Sequence, residues 1–292
     1  MAIDITNPVL EVGSADPVVV SRRFKFGMDV VDYQEVGTNL ITTLDYRAAP
    51  ADLMARARVW EWEKTVRELL TDVIANSAMI HLFQPIYELR AGVPLARGYE
   101  ALARFPQAPR IPIGLWFRVA HDTGRGVELE LAAANKALES LIRFPHSAFL
   151  FLNATVPTAA ALAGSLTPRV ASRLVIDIPY SAGLDAGSRH VFEELAAIGA
   201  KVSIDDVPIY DLEYVSQHLH GLRPDYMKVD VNAGLSDNTT RMAQLARGSA
   251  WCHEAGINLV AERVETARDL LTLAEVGIEW AQGYSLARPS EL

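Results

Sequence analysis

Carboxylates, carboxamides and one lysine recur at the ends of short apolar runs: Glu100, Asn153, Asp177, Asp205 with Asp206, Lys228 with Asp230, Glu262 and Gln282. Carboxylate and amide oxygens are hard ligands, suited to Mg²⁺ or Mn²⁺ and not to a soft metal. Asp205 and Asp206, adjacent in sequence, could set one carboxylate between two ions and the other on a single ion, as a two-metal site about 3.5 to 4 Å wide requires. Two divalent ions would screen an acidic pocket enough to admit a phosphodiester, and would lower the pKa of a bound water to make a nucleophile. Lys228 could orient that water or stabilise charge developing on a phosphate; it could equally form a structural ion pair with Asp230.

Residues so scattered share a site only if the fold gathers them. Strand candidates lie at 79–86, 97–103, 148–153, 174–178, 200–205, 225–230, 257–262 and 278–284, each a short apolar run ending near a polar residue. Helical patterns fill the gaps at 128–143, 188–198, 211–222, 239–255 and 266–276. Alternation of this kind predicts an α/β fold, a (β/α)₈ barrel of the TIM type, with a doubly wound sheet as the alternative. In a barrel the carboxyl ends of the strands open on one mouth, so the polar residues would face a common pocket. Upstream, residues 51–75 predict one long amphipathic helix, with Leu53, Val59, Trp60, Val66, Leu69, Leu70 and Val73 roughly on one face. Trp60 and Trp62 could pack on the barrel or mark a dimer surface. Residues 1–50 show no sustained period, with one possible strand at 40–46. The expected organisation is a segment of unknown role at 1–50, a linking helix at 51–75 and a barrel domain at 76–292.

Composition narrows the function classes. The 292 residues are 50% hydrophobic and 22% charged, with 18 Gly and 15 Pro, which excludes collagen-like and wholly disordered chains. A formal charge of −9 argues against nucleic-acid binding through a general basic surface. Cys252, the only cysteine, can form neither an internal disulfide nor a zinc site. Asp4, Glu11 and Asp16 precede any basic residue, so a secretory start is not expected. The uncharged stretch 147–168 is interrupted by Asn153, Pro157 and Gly164 and reads as a strand and an Ala-rich helix, not a membrane span. A cytoplasmic protein without membrane attachment is expected. His218 and His220 would point to different helix faces and are given no metal role.

The segments HLFQPIYEL (residues 81–89), GYEALARF (98–105), KVDV, VAERVET and QGYSLARP (282–289) together resemble the EAL family of cyclic di-GMP phosphodiesterases, from about residue 80 to residue 289. The resemblance implies a modified (β/α)₈ barrel that cuts one phosphodiester of cyclic di-GMP with Mg²⁺ or Mn²⁺ to give the linear dinucleotide. By position, Glu100, Asn153, Asp205 and Asp206 match family metal ligands, and Lys228 matches the lysine near the attacking water. Glu262 and Glu265 match two glutamates of which one is assigned to metal binding or base catalysis, and Gln282 matches the glutamine supporting the metal-site water. Gln84, Glu100 and Arg104 match nucleotide-contacting positions, Arg104 being suited to grip phosphate or guanine through its planar fork.

Four departures fall on the catalytic half. In place of the family's E-x-T-E pattern stand Asp177, Ile178, Pro179 and Tyr180. Aspartate at the metal-ligand position 177 reaches about 1.5 Å less far, against a ligand tolerance of roughly 0.2 Å. Tyr180 replaces the second glutamate, which in the family holds the neighbouring catalytic loop. That loop, DDFGTGYSSL in the family, reads DDVPIYDL over residues 205–212, two residues shorter and without glycine. Pro208, Ile209 and Tyr210 cannot trace a glycine path. Arg263 stands where the family has glycine, and could pair with a carboxylate or point to solvent.

Metal catalysis depends on ligands supported to fractions of an ångström, so the altered loop threatens turnover more than binding. The leading expectation is a degenerate or weakly active receptor for cyclic di-GMP, reporting occupancy to a partner through the helix at 51–75. Its alternatives are an active Mg²⁺- or Mn²⁺-dependent phosphodiesterase, and a nucleotide-free scaffold that binds a protein partner or a second copy of itself.

Overall fold

The structure, a computed structural model, describes residues 19–26, 29–36, 50–89, 94–182, 186–219, 222–231 and 235–292. The chain divides into two compact units, Met1–Met79 with Arg104–Leu129, and Ile80–Ala103 with Glu130–Leu292.

In the first unit β1 (Val19–Phe26) and β2 (Asp29–Val36) pair antiparallel, with Val19 opposite Val36 and Phe26 opposite Asp29. The sequence reading found no strand here because charged residues interrupt both runs. The usable signal was Gly27 between two Val-containing segments, since short hairpin connections favour glycine. The strand suggested at 40–46 lies outside the described residues. The long helix α1 (Pro50–Ala75) begins at a proline, which suits a first-turn position whose N–H needs no partner. Val66, Leu70 and Val73 are buried at helical spacing, but Trp60 is 63% exposed and leaves the expected face. Unforeseen from sequence is α2 (Ile113–Asp122), which buries Leu115, Trp116, Phe117, Val119 and Ala120. Trp116 stacks on Phe105 at 4.3 Å between ring centroids, and Arg118 pairs with Glu63 of α1.

The eight expected strands all form. They are β3 (Ile80–Glu88), β4 (Leu95–Arg104), β5 (Phe149–Asn153), β6 (Leu174–Pro179), β7 (Lys201–Val207), β8 (Tyr226–Asp230), β9 (Asn258–Glu262) and β10 (Trp280–Ala281). They close a barrel in the order β10-β3-β4-β5-β6-β7-β8-β9. From β4 to β10 the pairings run parallel, but β10 pairs antiparallel with β3. The reversal follows from connection length: only residues 89–94 separate β3 from β4, too few for the dozen or more residues of a parallel crossover.

The accompanying helices are α3 (Gly126–Leu138), α4 (Val156–Ser165), α5 (Pro168–Ala171), α6 (Ala186–Ala197), α7 (Leu212–His218), α8 (Thr239–Ala255) and α9 (Ala267–Glu275). The helix expected over 128–143 breaks into α3 and a 3₁₀ turn at Leu141–Arg143, and α7 stops at His218 instead of running to 222. Local chemistry sets the other ends. Asn238 caps α8 by accepting from the Arg241 N–H, Gly256 ends it in the left-handed region at φ 72°, and Thr266 and Asp269 form a reciprocal capping box on α9.

Inside the barrel the side chains form layers. Ile86, Phe151, Val175, Tyr226, Val260 and Trp280, one from each of six strands, make a single buried apolar cluster. Side chains two residues apart on a strand share a face. Two positions beyond the cluster stand Asn153, Asp177, Lys228, Glu262 and Gln282, and on the reversed strand β3 the corresponding position is two residues earlier, at Gln84. The aromatic and β-branched layer is thus the floor on which a polar layer rests.

Cys252, on α8, is 1% exposed, and burial pushes its thiol up to about 12. Thiolate is the reactive species, so a raised pKa together with burial suppresses labelling. At pH 8 an aromatic disulfide reagent should leave native Cys252 unmodified while reacting fully in denaturant; prompt labelling of native protein would contradict this packing. Among the described residues, no helix is long and apolar enough to cross a membrane.

Candidate metal and nucleotide site

Lys228, mid-strand in β8, is fully buried, and its ammonium faces four carboxylates from four other strands. Nζ lies 2.9 Å from Glu262 Oε1, 3.3 Å from Asp177 Oδ2, and 3.5 Å from both Glu100 Oε2 and Asp205 Oδ1. Burial by itself would strip the proton, but the carboxylates, Asp177 foremost, outweigh it and hold the ammonium well above the ordinary lysine range. The reading of Lys228 as the ion-pair partner of Asp230 is replaced: Asp230 Oδ2 takes Arg263 Nη1 at 2.9 Å. Arg263 sits at φ 55°, in the left-handed region where a side chain costs about 1 to 2 kcal/mol, and this ion pair offsets part of that strain.

Asp177 is fully buried in β6, and burial pushes its carboxyl up to about 6 against the pull of Lys228, with Glu100 and Glu262 adding to the rise. Its second oxygen, Oδ1, has no hydrogen-bond partner.

The pair Asp205 and Asp206 stands on an irregularity of β7. Between the pairs Ile204 with Met227 and Val207 with Val229, β7 carries one residue more than β8. Asp206 takes up the extra residue at φ 59°, and its N–H donates to Asp205 Oδ1 at 2.8 Å. A bulge of this kind re-aims side chains at a barrel rim. It turns the two adjacent carboxylates to one side, where a regular strand would send them to opposite faces.

On the other flank a row of amides holds Glu100. Asn153 Nδ2 donates to Glu100 Oε1 at 2.9 Å and Gln282 Nε2 to Glu100 Oε2 at 2.7 Å. Gln282 Nε2 also reaches Gln84 Oε1 at 3.2 Å, and Gln84 Nε2 donates to the Ala287 carbonyl at 3.1 Å. The structure therefore brings together Gln84, Glu100, Asn153, Asp177, Asp205, Asp206, Lys228, Glu262 and Gln282. Glu265 lies three residues beyond Glu262, is exposed, and shares none of these contacts. Arg104 is the half-buried last residue of β4.

The donor set fits a hard divalent cation. Ligand oxygens of Glu100, Asp177 and Asp205 lie within 4.8 Å of one another, as do those of Asp205, Asp206 and Glu262. Four carboxyl groups surround one ammonium and Asp206 adds a fifth beside Asp205 and Glu262, an excess of negative charge that protons or cations must balance. The buried, partnerless Asp177 Oδ1 is a further oxygen ready to bind.

Sequence reasoning left open whether Arg263 pairs with a carboxylate, and the structure pairs it with Asp230; it missed the bulge that turns Asp206. The signal available for the first was the charge complement of two residues at the ends of neighbouring strands.

No curated protein sequence matches the chain. Solved structures do. The EAL domain of FimX from Xanthomonas citri, in complex with c-di-GMP, aligns with a TM-score of 0.69 at 17% identity, covering 82% of this chain and 97% of that one. The FimX EAL domain from Pseudomonas aeruginosa, bound to c-di-GMP, gives 0.67 at 22% identity, covering 77% and 96%. Klebsiella pneumoniae BlrP1, in a calcium and cyclic di-GMP complex, gives 0.59 at 23% identity, covering 73% of this chain and 56% of that one. These likenesses establish the shared barrel. The EAL domain family itself matches residues 66–289, and this chain belongs to it.

Proposed function

We infer that the barrel mouth binds cyclic di-GMP together with a divalent cation, and that the protein works as a receptor with weak or no hydrolysis. The ligand class is supported by the FimX domains, which bind c-di-GMP, and the cation by BlrP1, which holds calcium or manganese with the same nucleotide. The observation that carries the receptor reading is a contrast within the site. The amide row through Gln84, Gln282, Glu100 and Asn153 is continuously hydrogen-bonded. On the facing side Asp177 is fully buried against Lys228, at a position where a longer carboxylate would stand further into the mouth.

Glu100, Asn153, Asp177, Asp205, Asp206 and Glu262 are the residues that would hold the cation. A bound divalent ion polarises phosphoryl oxygens and acidifies a coordinated water. The chain's own part is to bind and orient. The amide row fixes both oxygens of Glu100. Lys228 holds the carboxylates of Glu100, Asp177, Asp205 and Glu262 around one ammonium, and would stabilise negative charge on a phosphate placed beside them. Arg104 would grip phosphate or guanine.

The test is to titrate full-length protein with cyclic di-GMP in Ca²⁺ by calorimetry, then incubate it with Mn²⁺ or Mg²⁺ and separate the nucleotides chromatographically, beside Glu100→Ala. Binding heat from the wild type, with no linear dinucleotide above the Glu100→Ala background, is expected. Linear product from the wild type alone would make the protein a working phosphodiesterase. Absence of heat would leave a scaffold that binds a protein.

A further inference from the structure

Arg263 is one of three non-glycine residues at positive φ among the described residues, with Ser77 and Asp206. Backbone of this kind strains a bulky side chain, and such strain persists where the surroundings over-determine it, above all at functional sites. Glycine, which the family has at this position, takes φ 55° at no steric cost. Turning the chain after β9 therefore does not by itself explain an arginine.

The strands fix where that arginine stands. Asp230 ends β8 and is the register partner of Glu262, the last residue of β9, so Arg263 follows beside it across the strand pair. Tyr226, Lys228 and Asp230 lie two residues apart along β8 and share the inner face of the barrel. Tyr226 belongs to the apolar floor and Lys228 to the charged layer upon it, which puts Asp230 one layer further toward the opening. There Arg263 Nη1 meets Asp230 Oδ2 at 2.9 Å, with both side chains 23% exposed, while Lys228 beneath them is sealed from solvent. The pair forms the rim of the mouth between β8 and β9.

Electrostatics gives this rim a task. Below it five carboxyl groups outnumber the single ammonium of Lys228, a field that opposes the entry of a phosphodiester. A guanidinium at the opening is permanently charged, and its planar fork of five donors can hold a carboxylate along one edge and a phosphate along another. Asp230 aims the arginine and at the same time offsets part of its charge.

We propose that Arg263 is a ligand-binding residue: its guanidinium, steered by Asp230 over the mouth, donates to a phosphate oxygen of the entering nucleotide. The proposal rests on the reading that the mouth binds cyclic di-GMP, and adds to it a contact that glycine at this position could not make.

The test is calorimetric titration of full-length protein with cyclic di-GMP in Ca²⁺. Arg263→Gly should weaken binding at least about tenfold, the scale of a hydrogen bond between charged groups. Arg263→Lys keeps the charge without the fork and should fall between that variant and the wild type. Asp230→Asn should instead tighten binding about threefold, the scale of a partly exposed charge pair, because it removes a countercharge and keeps an acceptor. An ion pair with a structural role alone would give losses of the same sign for both partners. The urea midpoint of Arg263→Gly should hold or rise, since glycine relieves the backbone, and this separates lost binding from lost folding. Unchanged affinity in Arg263→Gly, or equal losses in Arg263→Gly and Asp230→Asn, would overturn the proposal. Inorganic phosphate separates it from the receptor reading. If the wild type gave no heat with cyclic di-GMP, broadening of the phosphate ³¹P resonance by ion-free wild type and not by Arg263→Gly would still establish the anion contact at the rim, and equal broadening would refute it.

Discussion

Replacing Lys228 by methionine should destabilise the ion-free protein by about 3 to 5 kcal/mol, the usual cost of removing one partner from a buried charge cluster. Methionine keeps length and apolar volume but leaves Glu100, Asp177, Asp205 and Glu262 facing one another without the ammonium that each now meets within 3.5 Å. Those carboxylates have two ways to recover, by taking up protons or by taking up a cation. Mn²⁺ or Ca²⁺ should therefore raise the urea midpoint of Lys228→Met more than that of the wild type. Equal midpoints for the two proteins without ions, or no larger cation effect in the variant, would show that the cluster does not depend on Lys228 for its charge balance.

This dependence explains why part of the site could be read from sequence and part could not. The polar residue near the end of an apolar run is visible because strand periodicity is local, and the barrel then gathers the endings of its parallel strands, with Gln84 of the reversed β3, into one mouth. Asp177, Lys228, Glu262 and Gln282 were found this way and do meet. Pair choice is not local. Lys228 takes four carboxylates from other strands, while Asp230, two residues on, turns to Arg263. Strand tilt and register decide that, and neither is written in a single strand. The reversed direction of β3 was legible in principle from the short interval at 89–94, which leaves no room for a crossover helix.

The hairpin β1–β2 and the helix α2 escaped for different reasons. Arg22, Arg23 and Lys25 on one strand and Asp29, Asp32 and Glu35 on the other blur the period-two pattern. In α2 the run from Gly114 to Ala120 is buried except at Arg118, but the helix spans only ten residues, which leaves a one-sided apolar pattern little length in which to repeat. Tyr180 was noticed only as a missing glutamate.

Adding one methyl group at Gly283 should be nearly as damaging as removing the lysine. A Cβ there would lie 2.2 Å from the carbonyl oxygen of Val264 and 2.3 Å from its nitrogen, both backbone atoms that no rotamer change can move aside. Val264 is fully buried and is itself tied to this strap, its N–H donating to the Gln282 carbonyl at 3.1 Å and its carbonyl accepting from the Ser285 N–H at 3.0 Å. The Gln282 N–H in turn donates to the Ala261 carbonyl at 2.8 Å. The residues 282–285 thus rest backbone to backbone on 261–264, and Gly283 is the point of closest approach. Gly283→Ala should cost about 3 kcal/mol, the upper range for overpacking, because the strap must lift. Lifting it draws Gln282 away from Glu100 and Gln84, whose contacts at 2.7 and 3.2 Å complete the amide row, so cyclic di-GMP binding should weaken along with stability. Gly164→Ala on α4 is the matched control, since a Cβ there meets nothing within 4 Å and alanine favours a helix by about 0.5 to 1 kcal/mol. Urea denaturation of both variants decides the matter. A Gly283→Ala protein as stable as Gly164→Ala would mean that the strap is not in close contact with the Val264 backbone, and that Gln282 is held in the mouth by its side-chain bonds alone.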